Sequence, residues 1–372
     1  MSALKIIGMD RMKILQLTEH YLPFFGGVEK HIHEISKRLV ENGVDVEVVC
    51  EREKNTPNYE IMDGVKIHRV SGFRLIKLKY DIGRIAPGMI PSAIINDADI
   101  IHAHAYSYFP TWASMFSKFS GKPVVITTHS DPAARIYPFW DLCRSIPIRI
   151  CDHIVATTVM EKQHLILRGV KAENITVIPN GITLPPSEAP ILDFPNTILC
   201  LARLDIDHKG QDILLKAMPK VLSKIPNAKL WIAGKGNDLV RLQDIEKKLN
   251  IGGNITFVGP IDEYAKALCL KNCSLLCVAP RTESFGIIYL EAMSYGLPIV
   301  TTRVGGIPEV VDGAALMVSP NDPSSLADAI IRVLTDKALE DNLRHKGLER
   351  VKQFDWDAIV KEYKDFYMRM VS

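Results

Sequence analysis

Apolar residues along this chain follow two alternating rhythms. Short, nearly continuous apolar runs are separated by longer stretches whose apolar positions recur at helical spacing. The run 14–18 predicts a first strand, followed by a turn-rich loop, 19–27 (EHYLPFFGG). Val28, Ile32, Ile35 and Leu39 then repeat as one face of a helix. Asn42-Gly43 closes that helix, and 44–50 is a second strand. Further strands are expected at 65–70, 99–104, 124–129, 152–157 and 175–179, with helices at 110–120, 138–150 and 160–168. A second alternating series begins with a strand at 197–202. Its later strands are 229–233, 254–258, 275–279 and 299–302, and its helices 213–224, 239–249, 263–271, 288–295, 324–334 and 339–353. The last segment, 356–370, is amphipathic, with Trp356, Ile359, Tyr363 and Phe366 on one stripe. Strands alternating with helices predict parallel sheets covered on both faces.

Between the two series, residues 183–196 (TLPPSEAPILDFPN) hold four prolines and little periodicity, the composition of a linker. The expected architecture is therefore two doubly wound α/β domains, 1–185 and 196–354. Such sheets bind ligands beyond the carboxyl ends of their strands. The loops to inspect are 19–27, 102–106, 129–135, 203–210, 234–237, 259–263, 280–287 and 303–309, which in two facing domains line one cleft.

Composition narrows the classes. The chain has 372 residues, 47% of them hydrophobic and 24% charged, with a net charge of +2. A near-neutral balance gives no electrostatic case for nucleic acid. The seven cysteines contain no C-x-x-C pair and no histidine near Cys269, Cys273 and Cys277 to complete a zinc set. Reduced thiols in a cytoplasmic protein are the expectation. No apolar run reaches membrane-spanning length, and the first residues lack the regions of a signal peptide.

Three stretches carry candidate chemistry. In 26–29 (GGVE), glycines stand at a strand-to-helix junction, where free N–H groups and the helix dipole attract an anion; a tight turn uses the same glycines. The loop 203–210 (RLDIDHKG) sets Arg203 and Lys209 before a glycine and a helix start, a fork and a point charge suited to a diphosphate. Two solvated surface cations are the other reading. In 281–306 (RTESFGIIYLEAMSYGLPIVTTRVGG), Glu283 precedes a helix and Glu291 lies within it. Carboxylates so placed, beside glycine-exposed N–H groups, suit a ligand bearing hydroxyls and a phosphate; a surface helix with two solvated glutamates is the alternative.

Taken together, GGVE (26–29), TTHSD (127–131), IPNGI (178–182), ARLDIDHKG (202–210), AGKG (233–236), ESFG with E-x(7)-E (283–291) and GLPIVTTRVGGIPEVV (296–311) resemble the retaining glycosyltransferases of family 4, which have the GT-B fold. The resemblance runs from about Lys13 to the C-terminal segment. It implies transfer of a hexose from a UDP- or GDP-linked donor to a glycan, lipid-linked or small-molecule acceptor hydroxyl, without metal or other cofactor. Arg203 and Lys209 are then expected on the donor diphosphate, with the Gly27 N–H added from the N-terminal domain. Glu283 is expected on the sugar hydroxyls beside the Gly286 and Ile287 backbone, Glu291 on the ribose, Gly259 and Ile261 near the base, and His129 by the sugar. The resemblance also implies that 355–372 packs back on the N-terminal domain. Ala202 stands where the family commonly has glycine. Two other readings stay open: a glucan-synthase-like enzyme of the same fold, against which the PFFGG loop lacks the expected lysine, and a non-catalytic two-domain binding protein.

The remaining residues carry competing expectations. Glu29 either contacts the acceptor or starts a helix favourably against the dipole. Asp205-Ile206-Asp207 spells a metal motif inside the phosphate loop and is not expected to hold one. His102 and His104 are expected to point one inward and one outward, and His33 to lie on a helix surface. The stretch 66–91 interleaves Lys66, Arg69, Arg74, Lys77, Lys79 and Arg84 with apolar residues. It reads as a solvated surface or as a patch for anionic lipid, which would place the protein peripherally on the inner face of a membrane.

Overall fold

A computed structural model describes residues 12–24, 26–74, 84–104, 109–129, 145–185 and 190–371. The chain divides into two compact units, 1–181 with 356–372, and 182–355.

The first unit is built on an eight-stranded sheet. Its strands are β1 (Lys13–Leu17), β2 (Asp45–Glu51), β3 (Tyr59–Met62), β4 (Val65–Val70), β7 (Ile100–His104), β8 (Val124–Thr127), β9 (His153–Ala156) and β10 (Ile175–Val177), with β5 (Phe73–Arg74) and β6 (Arg84–Ile85) forming a separate pair. The order is β10-β9-β8-β7-β1-β2-β4-β3, parallel throughout except for β3 against β4. Periodicity does not announce β3, because an edge strand alternating between exposed and half-buried residues carries no apolar run. Its turn is nonetheless written in the sequence: Asp63 and Gly64, at φ 48° and 79°, form a two-residue hairpin loop.

Successive side chains on each strand face opposite layers. Leu15, Leu17, Ile101, Ala103 and Ile126 face one core, and Ile14, Val46, Val48, Ile100 and Val125 the other. The second core is closed by α1 (Gly27–Glu41) through Ile32, Ile35 and Leu39. It is closed also by the last helix of the chain (Trp356–Met370) through Trp356, Ile359, Val360, Tyr363, Phe366 and Tyr367. Burying a large apolar side chain contributes about 1.5–3 kcal/mol relative to exposure, so this stripe fastens the chain's end firmly. Of the basic stretch, residues 75–83 lie outside the described residues. Within the remainder, Arg69 is buried against Glu60 and Arg84 pairs with Glu51.

The second unit holds a six-stranded, all-parallel sheet ordered β13-β12-β11-β14-β15-β16. The strands are β11 (Phe194–Leu201), β12 (Lys229–Ala233), β13 (Ile255–Gly259), β14 (Cys273–Val278), β15 (Ile299–Thr302) and β16 (Ala315–Val318). β11 begins three residues before its apolar run. Phe194 packs on Trp231 with ring centroids 4.9 Å apart, and the Leu192 N–H donates to Asn272 Oδ1 at 2.5 Å. The second half of the proline-rich stretch is thus tied to this unit, and its register against β14 shifts between Phe194 and Ile198. The strand order reverses between β11 and β14, so the loops after these two strands flank the crevice where such sheets bind ligands.

Candidate active site

The reversal point of the second sheet collects the cationic and acidic residues singled out by the sequence. After β11 the chain passes Arg203 and enters a single helical turn, α2 (Ile206–Lys209). That turn ends at Gly210, which also starts α3 (Gln211–Lys224). Gly210 has φ 64°, and a Cβ there would overlap the Ala279 carbonyl at the end of β14. Only glycine lets the loop after β11 lie directly on the loop after β14. Arg281 fastens the same contact from the other side. Its guanidinium donates to Asp212 at 2.8 and 3.0 Å and to the Ile206 carbonyl at 2.5 Å, and its N–H donates to the His208 carbonyl at 2.7 Å.

This framework places Lys209 Nζ 2.6 Å from Glu283 Oε2, both side chains largely shielded from water. Arg203 is different: its side chain is 63% exposed and donates to Asp205 Oδ2 at 3.1 Å, leaving a guanidinium available to a ligand at the mouth of the loop. Asp205 also accepts from His208 at 2.9 Å, so the Asp205-Ile206-Asp207 run is engaged in holding the loop. Among the described residues no group of three or more His, Cys, Asp or Glu converges as metal ligands do.

Glu283 is pinned through its backbone. Its carbonyl accepts from the Gly306 N–H at 3.1 Å, and Gly305, at φ 55°, approaches that carbonyl so closely that a Cβ would overlap it. The VGG of 304–306 is therefore the seat of Glu283. Gly286 opens α4 (Ile287–Ser294), and its missing Cβ makes room for the buried Tyr289 ring, whose hydroxyl bonds Thr301 at 2.9 Å. Glu291, one turn into α4, meets Lys266 Nζ at 2.7 Å. Burial opposes the charge on Lys266, but Glu291 and Glu263 outweigh it and hold its pKa above the ordinary lysine value. Gly259 ends β13 with φ 80°, its carbonyl accepting from Gly234 N–H at 2.8 Å, and Ile261 lies just beyond it, half-buried. Lys266 and Arg281 escape sequence reasoning because both act through partners distant in the chain. The arrangement offers two cations for an anion and two carboxylates for hydroxyls.

In the first unit, Gly27 is exposed as the first residue of α1. The Glu29 carboxylate folds back over Gly26 at the same helix start, where burial pushes its pKa up. His33 is not a free surface residue: it bridges the Tyr21 hydroxyl (3.0 Å) and Asp63 (3.1 Å). His102 and His104 do not point apart either. Residues two apart on a strand share a face, and both rings are fully buried, 4.3 Å between centroids. His104 bonds His129, which stands just after β8 with φ 52° and is half-buried, at 2.9 Å. Burial drives His102 and His129 down to about 3 and His104 and His31 well below the ordinary value, so all four are neutral near pH 7.

Two family profiles divide the chain within a few residues of the boundary between its units. “Glycosyltransferase Family 4” matches residues 25–184 and “Glycosyl transferases group 1” matches 187–350. The chain is a family 4 glycosyltransferase. It is 27% identical over 362 residues to the phosphatidyl-myo-inositol mannosyltransferase of Mycolicibacterium smegmatis, covering 92% of this chain and 90% of the relative. It is 26% identical to a phosphatidylinositol N-acetylglucosaminyltransferase subunit of Arabidopsis thaliana, covering 97% and 83%. Its GT-B fold is that of the sucrose-phosphate synthase of Thermosynechococcus elongatus (TM-score 0.81, 22% identity, 97% and 99% covered). Anabaena HepE, solved with UDP and glucose, shares it (TM-score 0.78, 18% identity, 96% and 99% covered). This glycosyltransferase carries the sheet reversal described above in its group 1 half, with Arg203, Lys209 and Glu283 around it. No helix among the described residues is long and apolar enough to cross a membrane.

Proposed function

We propose that this glycosyltransferase moves a hexose from a UDP- or GDP-linked donor to an acceptor hydroxyl, with retention at the anomeric carbon and without a metal. The observation that carries the reading is the Lys209–Glu283 contact of 2.6 Å at the reversal point between β11 and β14. A nucleotide sugar needs a cation and a hydroxyl acceptor close together, because its phosphate and its sugar are directly joined. Breaking that bond builds negative charge on the leaving diphosphate and positive charge on the anomeric carbon. Preorganised Arg203 and Lys209 stabilise the former, the work a metal does elsewhere. Glu283 orients the sugar with the Gly286 and Ile287 backbone, Glu291 takes the ribose hydroxyls, and Gly259 and Ile261 lie near the base.

In the first unit the reading assigns Gly27 to a phosphate, His129 to the sugar and Glu29 to the acceptor. With neither Glu283 nor Glu291 required as a nucleophile, front-face attack follows, a donor phosphate oxygen taking the acceptor's proton. Two relatives named for phosphatidylinositol substrates support a lipid-linked acceptor, and peripheral contact with a cytoplasmic membrane face goes with it. The test is a donor panel of UDP-glucose, UDP-N-acetylglucosamine and GDP-mannose, assayed for nucleotide release with and without phosphatidylinositol vesicles. One competent donor and an α-configured product are expected. An inverted product overturns the retaining reading, and full activity of Lys209→Ala overturns the leaving-group role.

A further inference from the structure

The mechanism leaves unused a polar cluster inside the first unit, at the carboxyl ends of β1, β7 and β8. Gln16 on β1 stands in register with His102 on β7, and His104 with Thr127 on β8. All four are completely buried. From the last helix, the Tyr367 hydroxyl lies 2.5 Å from His102 Nδ1, and His102 Nε2 lies 2.8 Å from Thr127 Oγ1. Tyr363 reaches His31 Nε2 at 3.4 Å. So many polar side chains in a core are costly unless they are paired.

The hydrogen bonds run in one direction. A neutral imidazole has one N–H and one lone pair, so the first bond of a histidine dictates the second. His104 Nε2 lies 2.6 Å from the Gln16 side-chain carbonyl, which only accepts, and therefore carries the proton. His104 Nδ1 is then a lone pair, and it accepts from His129 Nε2 at 2.9 Å. That places the His129 proton on Nε2 and leaves its Nδ1 bare, with no partner among the described residues. His31 and His104 hold the His129 ring from two sides, at centroid distances of 4.9 and 5.1 Å, the second nearly parallel. The other end of the Gln16 amide faces Tyr367 on the last helix. Turning the amide over would reverse every proton in the chain and make His129 Nδ1 a donor. Gln16 is thus the junction that decides what His129 offers.

We propose that Gln16 and His104 are positioning residues that fix the tautomer of His129, so that it presents Nδ1 to a substrate hydroxyl as a hydrogen-bond acceptor. This rests on the reading of His129 as a residue facing substrate. The cluster keeps the His129 imidazole neutral and fixed in one orientation. The last helix closes the network by occupying the other half of the amide.

The test is long-range proton–nitrogen correlation NMR on the full chain labelled with nitrogen-15 in histidine, without substrate. The expected result is His129 and His104 both as Nε2–H tautomers, and loss of that single state at His129 in Gln16→Leu. Kinetics supply the second arm. Gln16→Leu should lower kcat about tenfold, the effect of one misdirected hydrogen bond, with donor KM little changed. In a His129→Ala background the same substitution should cost nothing further, whereas a purely structural role for Gln16 would cost the same in both backgrounds. A proton on His129 Nδ1 in the wild type, an unchanged tautomer in Gln16→Leu, or additive losses overturns the proposal. If Gln16→Leu does not fold, the wild-type spectrum still decides the tautomer. Full turnover of His129→Ala would instead defeat the substrate-facing reading and leave the NMR result standing by itself.

Discussion

Glu283 and Glu291 carry the same charge and sit one α4 turn and a short loop apart, yet their partners divide their labour. Glu283 shares Lys209, which the proposed function places on the diphosphate, while Glu291 shares Lys266 from a neighbouring helix. Glu283→Gln should chiefly lower kcat, by about a hundredfold, since it removes an interaction that strengthens as the sugar–phosphate bond breaks. Glu291→Gln should chiefly raise donor KM, by about tenfold, since a ribose contact is alike in ground and transition states. Steady-state kinetics of the two variants with the competent donor check this, and equal effects on both constants would sink the division. At this scale Arg203, Lys209, Glu283 and Glu291 were legible because each lies in a short motif with its own glycine. Lys266, Arg281 and Gln16 were not, since their partners stand 25, 69 and 88 positions away and only folding brings them together. The expectation for His102 and His104 failed for a simpler reason: a period of two puts them on one face.

At the scale of elements, the loops after β11 and β14 behave as one piece. Gly210 lies on the Ala279 carbonyl and Arg281 ties Ile206 and Asp212. Gly210→Ala should destabilise the second unit by more than about 1 kcal/mol, because both φ and space forbid the methyl. Arg281→Met should cost about 1–3 kcal/mol by removing one of the two charged partners of Asp212, Lys216 being the other, and should raise donor KM by loosening the turn that carries Lys209. Thermal unfolding and donor titration of the two variants measure these effects. Most strands and helices were visible as apolar runs and stripes. The edge strands β3 and β16 were not, because half-exposed edges lack a continuous apolar face, and the early start of β11 was hidden by Pro195-Asn196, which interrupt its apolar run.

At the scale of the whole chain, the alternation of strands and helices dictates two parallel sheets, and each sheet's reversal dictates where its ligand binds. The histidine cluster adds a pH dependence to the first unit. Below pH about 6.5 the unfolded chain protonates these histidines, while the folded form holds His102 and His129 neutral down to about 3. The unfolded state then binds more protons, so stability falls as pH drops, by up to about 1.4 kcal/mol per pH unit for each histidine. Glu29 and Glu362, their carboxyls raised by burial, act in the opposite sense, but they are two groups against five histidines, His153 included. Melting curves across the mildly acidic range should show unfolding at steadily lower temperature, and a flat profile would contradict the neutral cluster.

The central claim is that the second unit holds a nucleoside diphosphate through Arg203 and Lys209. Isothermal titration of UDP and GDP into the wild type, Arg203→Ala and Lys209→Ala measures it most directly. One of the two nucleotides should bind without added metal, and each substitution should weaken it at least about tenfold, the loss of one charge-assisted contact. Binding of neither nucleotide, or equal affinity in all three proteins, would contradict the account.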